Sequence, residues 1–408
     1  MGPRDSGLDI PSKKLKDNLA LKFVLACRQA SDHPWASSYL CSIIFPMLKR
    51  SLLFIFPGIL AWLLIDQYII CPDYQFESPG PFKGATFYNP YQHYDPEEWT
   101  LANMHAHTSS WFGLTNGKGD AKDVHEAYDS MGYGFHLISE YQKISDYGKG
   151  SPNYITAYEH GLNLPKAHQL VVGSERSVWK DYFFPQTLAN RQHMLDLLSA
   201  DTGNVVVVNH PAMRIGYNPT DMKFLYNYDC MEVINSYENA FRYWDTALSN
   251  GHMVFIVGND DTHNADNRRA VGKFATLLHA PNRTRIQALR SIREGRTIGV
   301  QIPQDTTMTF PQKIAMLKMS SPSLISVSAD SAVFRVRFDK TVSELVVTGQ
   351  GGMVRWQADS ASDINMPILA SDTYLRVSYR TPDGIRYHLN PVCRFQGIIG
   401  NRRQTARL

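Results

Sequence analysis

Three patterns of apolar and polar residues follow one another along the chain. The first is nearly unbroken: residues 51–70, "SLLFIFPGILAWLLIDQYII", carry only Asp66 and Gln67 as strongly polar members, both near the distal end. Such a stretch just spans a bilayer, which takes about 20 apolar residues. No small-residue cleavage motif follows it, so the pattern predicts an uncleaved anchor over 47–71 rather than a signal peptide. Lys49 and Arg50 precede it and place the N-terminus in the cytoplasm, with everything after residue 71 outside, periplasmic or at the cell surface. Residues 1–46 show no clear pattern and read as a cytoplasmic segment, or as sequence upstream of an alternative start at Met47. Residues 72–98 are polar and proline-rich, the composition of a linker.

The second pattern, over 99–305, alternates short apolar runs with amphipathic stretches, the α/β signature. Runs such as "QLVVG" (169–173), "NVVVVN" (204–209), "CMEVI" (230–234) and "HMVFIVG" (252–258) are continuous rather than alternating, which suits strands buried on both faces of a parallel sheet. Between them, Asp120 can cap a helix whose Val124, Ala127, Tyr128 and Met131 share a face, with Gly132 as its stop. About seven such units predict closure into a barrel rather than an open sheet. The third pattern, over 320–398, alternates strictly, with turns at "GQGG" and "TPDG", and predicts a small antiparallel β-sandwich.

Composition narrows the partners. In 408 residues, 41 Lys plus Arg stand against 38 Asp plus Glu, and no run of like charges suggests a nucleic-acid footprint. Five cysteines (Cys27, Cys41, Cys71, Cys230 and Cys393) form no C-x-x-C pair or zinc-ribbon spacing, so a disulfide framework is not expected.

The candidate chemistry lies at the ends of the predicted strands. His105 and His107 follow "EEWTLANM", Glu175 follows "QLVVGS", His210 follows "VVVVN", Asn235 closes "CMEVIN", and Asp261 with His263 follows "MVFIVGND". In a parallel barrel these carboxyl ends converge on one face, where active sites of that architecture sit. Neutral imidazoles with carboxylates suit zinc, manganese or iron, and such a site activates water and polarises a scissile bond. Hydrolysis is therefore the expected reaction class; no nucleophile elbow, Walker loop or dinucleotide fingerprint competes.

The order H-x-H, G-x-E, N-H-P, E-V-x-N, D-x-H over roughly 99–300 resembles the polymerase and histidinol phosphatase (PHP) domain. The resemblance implies a distorted (β/α)7 TIM-like barrel with divalent metals and, usually, phosphoester hydrolysis. Carried over by position, His105, His107 and Asp261 would bind one metal, Glu175 would bridge to a second bound by His210, and His263 would serve a third. Two motifs depart from the family. "WFG" (111–113) stands where an S-D-G triplet is usual, and "SEY" (139–141) where T-D-H is usual, so one or two metals are expected rather than three. Asp120, Glu140, Tyr141, Glu159, His160 and His168 offer replacements, of which His160 in "YEHG" is preferred. C-terminal modules ending like "LRVSY…LNPV" accompany exported PHP-like hydrolases. The reading is a membrane-anchored, extracytoplasmic metal-dependent hydrolase, most naturally a phosphoesterase, acting on a small-molecule or phosphoester substrate. Two alternatives stay open: a PHP-derived binding or scaffolding protein without turnover, and a metallohydrolase of a non-phosphate bond.

Overall fold

The computed structural model describes residues 53–305, 307–403 and 406–407; the segment 1–46 and the basic pair Lys49–Arg50 lie outside the described residues. The chain divides into two compact units, 1–69 and 70–408. Leu53–Ile70, which ends at the boundary, is one helix with a mean hydropathy of 1.9 and almost no burial, long and apolar enough by length and composition to cross a membrane. Its last turn, Asp66–Ile70, widens to π-helix.

The second unit is built on two large sheets and also holds a separate antiparallel pair, Tyr74–Gln75 with Ala406–Arg407. Its early strands are β1 (Tyr74–Gln75), β2 (Thr86–Tyr88), β3 (Trp99–Asn103), β4 (Phe135–His136), β5 (Ala157–His160) and β6 (Gln169–Val172). β7 (Val205–Val208), β8 (Cys230–Asn235), β9 (Phe255–Asn259), β10 (Phe274–His279) and β11 (Thr297–Gln301) follow. The last are β12 (Leu324–Ala329), β13 (Val333–Gly349), β14 (Met353–Pro367), β15 (Tyr374–Arg380), β16 (Arg386–Leu389), β17 (Val392–Phe395) and β18 (Ala406–Arg407). One sheet has the order β5-β6-β7-β8-β9, and the other runs β12-β13-β15-β16-β11-β10-β3-β4 with β14, β17 and β2 attached at its side.

The expected (β/α)7 TIM-like barrel is not what the described residues form: the fold is mixed α/β and no sheet closes. β7, β8 and β9 are parallel, but β6 runs antiparallel to both β5 and β7. β10 is likewise antiparallel to β3 and β11. Continuous apolar runs report burial on both faces and are silent about direction. Direction was encoded in loop length instead, because residues 161–168 between β5 and β6 are too few for the crossover of a dozen or more residues that a parallel neighbour requires. The two sheets meet through isolated bridges, Ala106 with Thr262 and Tyr141 with Glu159.

Two further expectations change. The strands of 324–395 do not make a separate sandwich: β16 pairs with β11 (Ile298 opposite Leu389), and Val336, Val347 and Val377 share one core with Ala106, Ile298 and Val300. An edge left by β16 would expose unpaired backbone groups, and β11 satisfies them. The segment 72–98 is packed rather than free. β2 pairs with β17, and buried Tyr91 donates its hydroxyl to Thr297 O at 2.7 Å while accepting Asn390 N at 2.7 Å. Both cores consist wholly of residues after Ile70, so 70–408 contains the packing it needs to fold. Local signals hold where chemistry is explicit. Asp120 caps Ala121–Ser130 in a reciprocal capping box with Asp123, and Val124, Ala127 and Tyr128 are buried.

Buried His388 generates a stability prediction. Burial first, then the Arg376 and Arg386 charges, push its pKa down to about 3. Its Nδ1 meets Ser378 Oγ at 2.8 Å. The folded state therefore prefers the neutral ring, and the unfolded chain takes up the proton first as pH falls. The contribution is complete above about pH 6.5 and is lost on going down towards about pH 3. Wild type should lose about 2 kcal/mol from this group between about pH 7 and pH 5, and His388→Gln should flatten that part of the curve in urea unfolding. Equal pH slopes for the two proteins would refute the assignment.

Candidate metal centre

After β3 the backbone stays extended: Ala106 N is held by Ser139 Oγ at 3.1 Å and His107 N donates to Thr262 O at 2.8 Å. Period-two alternation then puts His105 and His107 on one face and buries Ala106 on the other. The same alternation acts in β5. Glu159 faces the histidines, whereas His160 faces away with both ring nitrogens engaged, Nδ1 with Gln169 Oε1 and Nε2 with Lys180 O, each at 2.8 Å. His168 stands just before β6, at the end of the sheet where β5 finishes, because Gln169 is opposite His160. His210 follows β7 and Asp261 follows β9; both non-glycine residues hold positive φ (24° and 50°), a strain that the surrounding hydrogen bonds maintain.

These groups converge. His105 Nε2 lies 3.2 Å from His107 Nε2, 3.2 Å from Asp261 Oδ1 and 3.5 Å from Glu159 Oε1. His107 Nε2 lies 3.2 Å from Glu159 Oε2 and 3.3 Å from Asp261 Oδ1. The other Glu159 oxygen meets His168 Nδ1 at 2.8 Å and His210 Nε2 at 3.1 Å. His263 sits at the more open side, stacked on His107 at 4.5 Å with its Nδ1 2.9 Å from Asp261 O. Tyr141 covers His107 on the outside at 4.7 Å.

Glu232, in the middle of β8, sets the polarity of the cluster. It accepts His105 Nδ1 at 3.1 Å and the His210 backbone N at 3.0 Å, and is itself held by the Asn259 and Asn235 amides, each at 2.9 Å. With Nδ1–H committed to Glu232, neutral His105 turns its Nε2 lone pair towards a second imidazole nitrogen and two carboxylates. Acceptors then face acceptors in a dry site. Several of these buried atoms also lack a hydrogen-bond partner: His107 Nδ1, Glu159 Oε2, His168 Nε2, His210 Nδ1, Asp261 Oδ1 and His263 Nε2. The arrangement requires positive charge between the donors, as a proton or as a cation.

The titration behaviour agrees. Burial alone would lower the His107 pKa, but the Asp261 and Glu159 carboxylates beside its Nε2 raise it to about 9. Burial is likewise outweighed at His105, raised well above the ordinary histidine value by Asp261, Glu159 and Glu232. Glu159 is held well below the carboxylate range because His168 and His105 overcome its desolvation, and Asp261 is held down by His105 and His107 against the same penalty. The donor set fits one or two divalent cations of the zinc, manganese or iron type. Glu159 belongs to the triplet with His105 and His107 and to the triplet with His168 and His210, so it can be shared between two ions.

The structure gathers His105, His107, His210, Asp261 and His263 from among the residues expected in sequence, and leaves three out. Glu175 is exposed, lining an open groove with Trp111, Arg176 and Trp179. β6 runs antiparallel to β7, so the residues after β6 leave from the end opposite His210. His160 is spent on structural hydrogen bonds, and Asn235 holds Glu232, with its Oδ1 accepting Tyr237 N at 2.9 Å. Glu159, His168 and Glu232 complete the site. For the two glutamates the signal in sequence was a carboxylate inside a strand, "TAYEH" and "CMEVIN", since buried glutamates are rare unless paired.

No family profile matches the sequence, and no curated protein matches it. A solved structure from Bacteroides vulgatus ATCC 8482, described as a two-domain protein containing a predicted PHP-like metal-dependent phosphoesterase, is similar at 12% identity and a TM-score of 0.38 over 77% of this chain and 99% of that one. A likeness at that level carries no argument about reaction.

His105→Ala and Asp261→Ala should abolish stoichiometric divalent metal in elemental analysis of purified protein. Glu175→Ala and His160→Gln should retain it, with circular dichroism as the check on folding. Glu232→Gln should retain the fold and weaken metal affinity by roughly 10–100-fold, the usual effect of losing a carboxylate that orients a ligating imidazole. Metal loss in Glu175→Ala with full retention in Asp261→Ala would reverse the assignment.

Proposed function

We propose that this chain is a metal-dependent hydrolase, with phosphoesters as its substrates, tethered to a membrane by Leu53–Ile70 and working on the extracytoplasmic side. The observation that carries the reading is the buried meeting of His105 Nε2 and His107 Nε2 at 3.2 Å with Asp261 and Glu159, an arrangement of acceptors that calls for a cation. A divalent cation supplies, when bound, polarisation of the ester oxygen and a lowered pKa for the attacking water.

The chain's own groups account for the rest. Glu232 fixes the His105 tautomer, and burial beneath Tyr141 excludes bulk water from the inner face of His107. His263 offers the more exposed imidazole of the cluster, with an unpartnered Nε2. Its pKa is lowered by burial and by the neighbouring His107 and His105 against the pull of Asp261, so it is neutral near pH 7 and can accept a proton from water. Lys166, with Nζ 5.7 Å above the Tyr141 ring, supplies positive charge beside the mouth for a phosphoryl group. In the reaction a water oxygen bonds to phosphorus, the P–O bond to the leaving group breaks, and a water proton ends on the released alcohol. The apolar helix and the Lys49–Arg50 pair before it support the tether.

The full-length chain purified in mild detergent should contain metal and hydrolyse an aryl phosphate. Chelation should remove both, and divalent metal should restore activity. His105→Ala and Asp261→Ala should lower turnover by at least about 100-fold, and His263→Gln should lower kcat more than it changes metal content. Absence of metal after loading with zinc, manganese and iron would sink the proposal, and stoichiometric metal without hydrolysis of any phosphoester would leave a binding protein.

A further inference from the structure

Around the mouth of the cluster the usual partition of residues is inverted. In "SSWFGL" the side chain of Ser110 is buried while Trp111, Phe112 and Leu114 are exposed; in "GLNLP" Asn163 is buried while Leu162 and Leu164 are exposed. Asn163 is turned inward by hydrogen bonds with Ala167, its Nδ2 to the carbonyl at 3.1 Å and its Oδ1 from the amide at 2.9 Å. Trp111 and Phe112 hold positive φ (50° and 56°), a conformation bulky residues rarely adopt, and it leaves the Phe112 ring entirely in solvent.

These loops are one continuous rim. The Trp111 and Trp179 rings meet edge-on at 5.8 Å, Leu164 N donates to Phe183 O at 3.0 Å, and Gly216 packs against the Lys166 backbone, bringing exposed Ile215 beside it. The rim is joined to the metal centre through Tyr141, whose carbonyl accepts Trp111 Nε1 at 2.8 Å and whose ring lies on His107. A groove of about 980 Å³ between Trp111, Trp179 and Arg176 opens from it. The same loops carry Lys143, Lys166, Arg176 and Arg214, none of which is ion-paired among the described residues. Of the acids on these loops, Asp181 is turned inward onto Leu162 N at 2.7 Å, and Glu175 is exposed beside Arg176, leaving the cations in excess.

We propose that this rim docks on an anionic bilayer and that the substrate is a phosphoester in the headgroup of a membrane lipid. The substrate half of the proposal rests on the hydrolase reading above; the docking half does not. Large apolar side chains held out of the fold, interleaved with unpaired cations, match the acyl boundary and the phosphate layer of such a membrane. A chain that carries an apolar segment of spanning length would meet that surface continually. Hydrolysis there adds water oxygen to the headgroup phosphorus and breaks one of its ester P–O bonds, the leaving alcohol taking the proton.

The test uses residues 70–408, which contain both cores, so that the Leu53–Ile70 helix cannot cause binding. Co-sedimentation should be strong with phosphatidylcholine vesicles containing phosphatidylglycerol and weak with phosphatidylcholine alone. Phe112→Ser/Leu114→Ser and Lys166→Ala/Arg214→Ala should each weaken binding about ten-fold or more, with thermal unfolding and metal content as checks that the fold survives. Wild-type protein that stays in the supernatant with both vesicles, or a serine variant that binds like wild type, overturns docking. Release of phosphate or a phosphorylated headgroup from the vesicles should require loaded metal. Metal and aryl phosphate turnover without vesicle binding would defeat this inference alone; vesicle binding without metal would defeat the hydrolase reading and keep the surface.

Discussion

The Glu232 carboxylate is one of the buried contacts that tie the two large sheets together. One oxygen takes His105 Nδ1 and the Asn259 amide, the other takes the His210 backbone and the Asn235 amide. Asn259 in turn accepts Met104 N at 2.7 Å. The chain leaving β3 of the larger sheet is therefore fixed to the ends of β7, β8 and β9 of the smaller one through one buried acid. A fully buried carboxylate costs several kcal/mol unless its lone pairs are occupied, and four donors occupy these. Because the donors come from β3, β7, β8 and β9, strand ends and metal donors are positioned by the same contact.

A neighbouring pair of acids shows how place decides role. Asp260 and Asp261 are adjacent and both buried. Asp260 is turned into the protein, accepting Tyr128 OH at 2.7 Å and the backbone amides of Gly272, Lys273 and Phe274 at 2.6–2.8 Å. Burial raises its pKa even against those donors. Asp261, at a positive φ, faces the imidazoles of His105 and His107. The hydrogen-bonded partner fixes the backbone from which the strained one projects, which is how a costly conformation survives at a site.

This division explains what was legible in the sequence. Ligands reached by local geometry could be read directly: H-x-H on an extended segment puts both rings on one face, and D-x-H after an apolar strand places both side chains at a strand end. What needed strand direction could not. Glu175 follows an apolar run as convincingly as His210 does, and only the antiparallel pairing of β6 with β7 separates them. The choice of His160 over Glu159 failed by one residue for a related reason, since register fixes which of two adjacent side chains faces the cluster and a flip of one position exchanges them. Glu232 opens the E-V-x-N motif, of which only Asn235 was taken as a candidate, although a charged residue in an apolar strand is itself a sign of a partner.

The rim and the cluster break the same rule in opposite senses. Inside, charged groups occupy positions where a core would be apolar; outside, Phe112, Leu114, Leu162 and Leu164 occupy positions where a surface would be polar. Elsewhere local pattern and fold agree, as in the buried Val205–Val208 strand and the capped Ala121–Ser130 helix. Sequences depart from that agreement where function pays for the departure. Each departure by itself has a structural reading, but Tyr141 joins them physically, stacked on a cluster histidine and bonded to the rim tryptophan. A substrate that satisfies both must present anionic oxygen to the inner groups and apolar surface to the outer ones, and an amphiphile held in an interface meets that condition with one molecule.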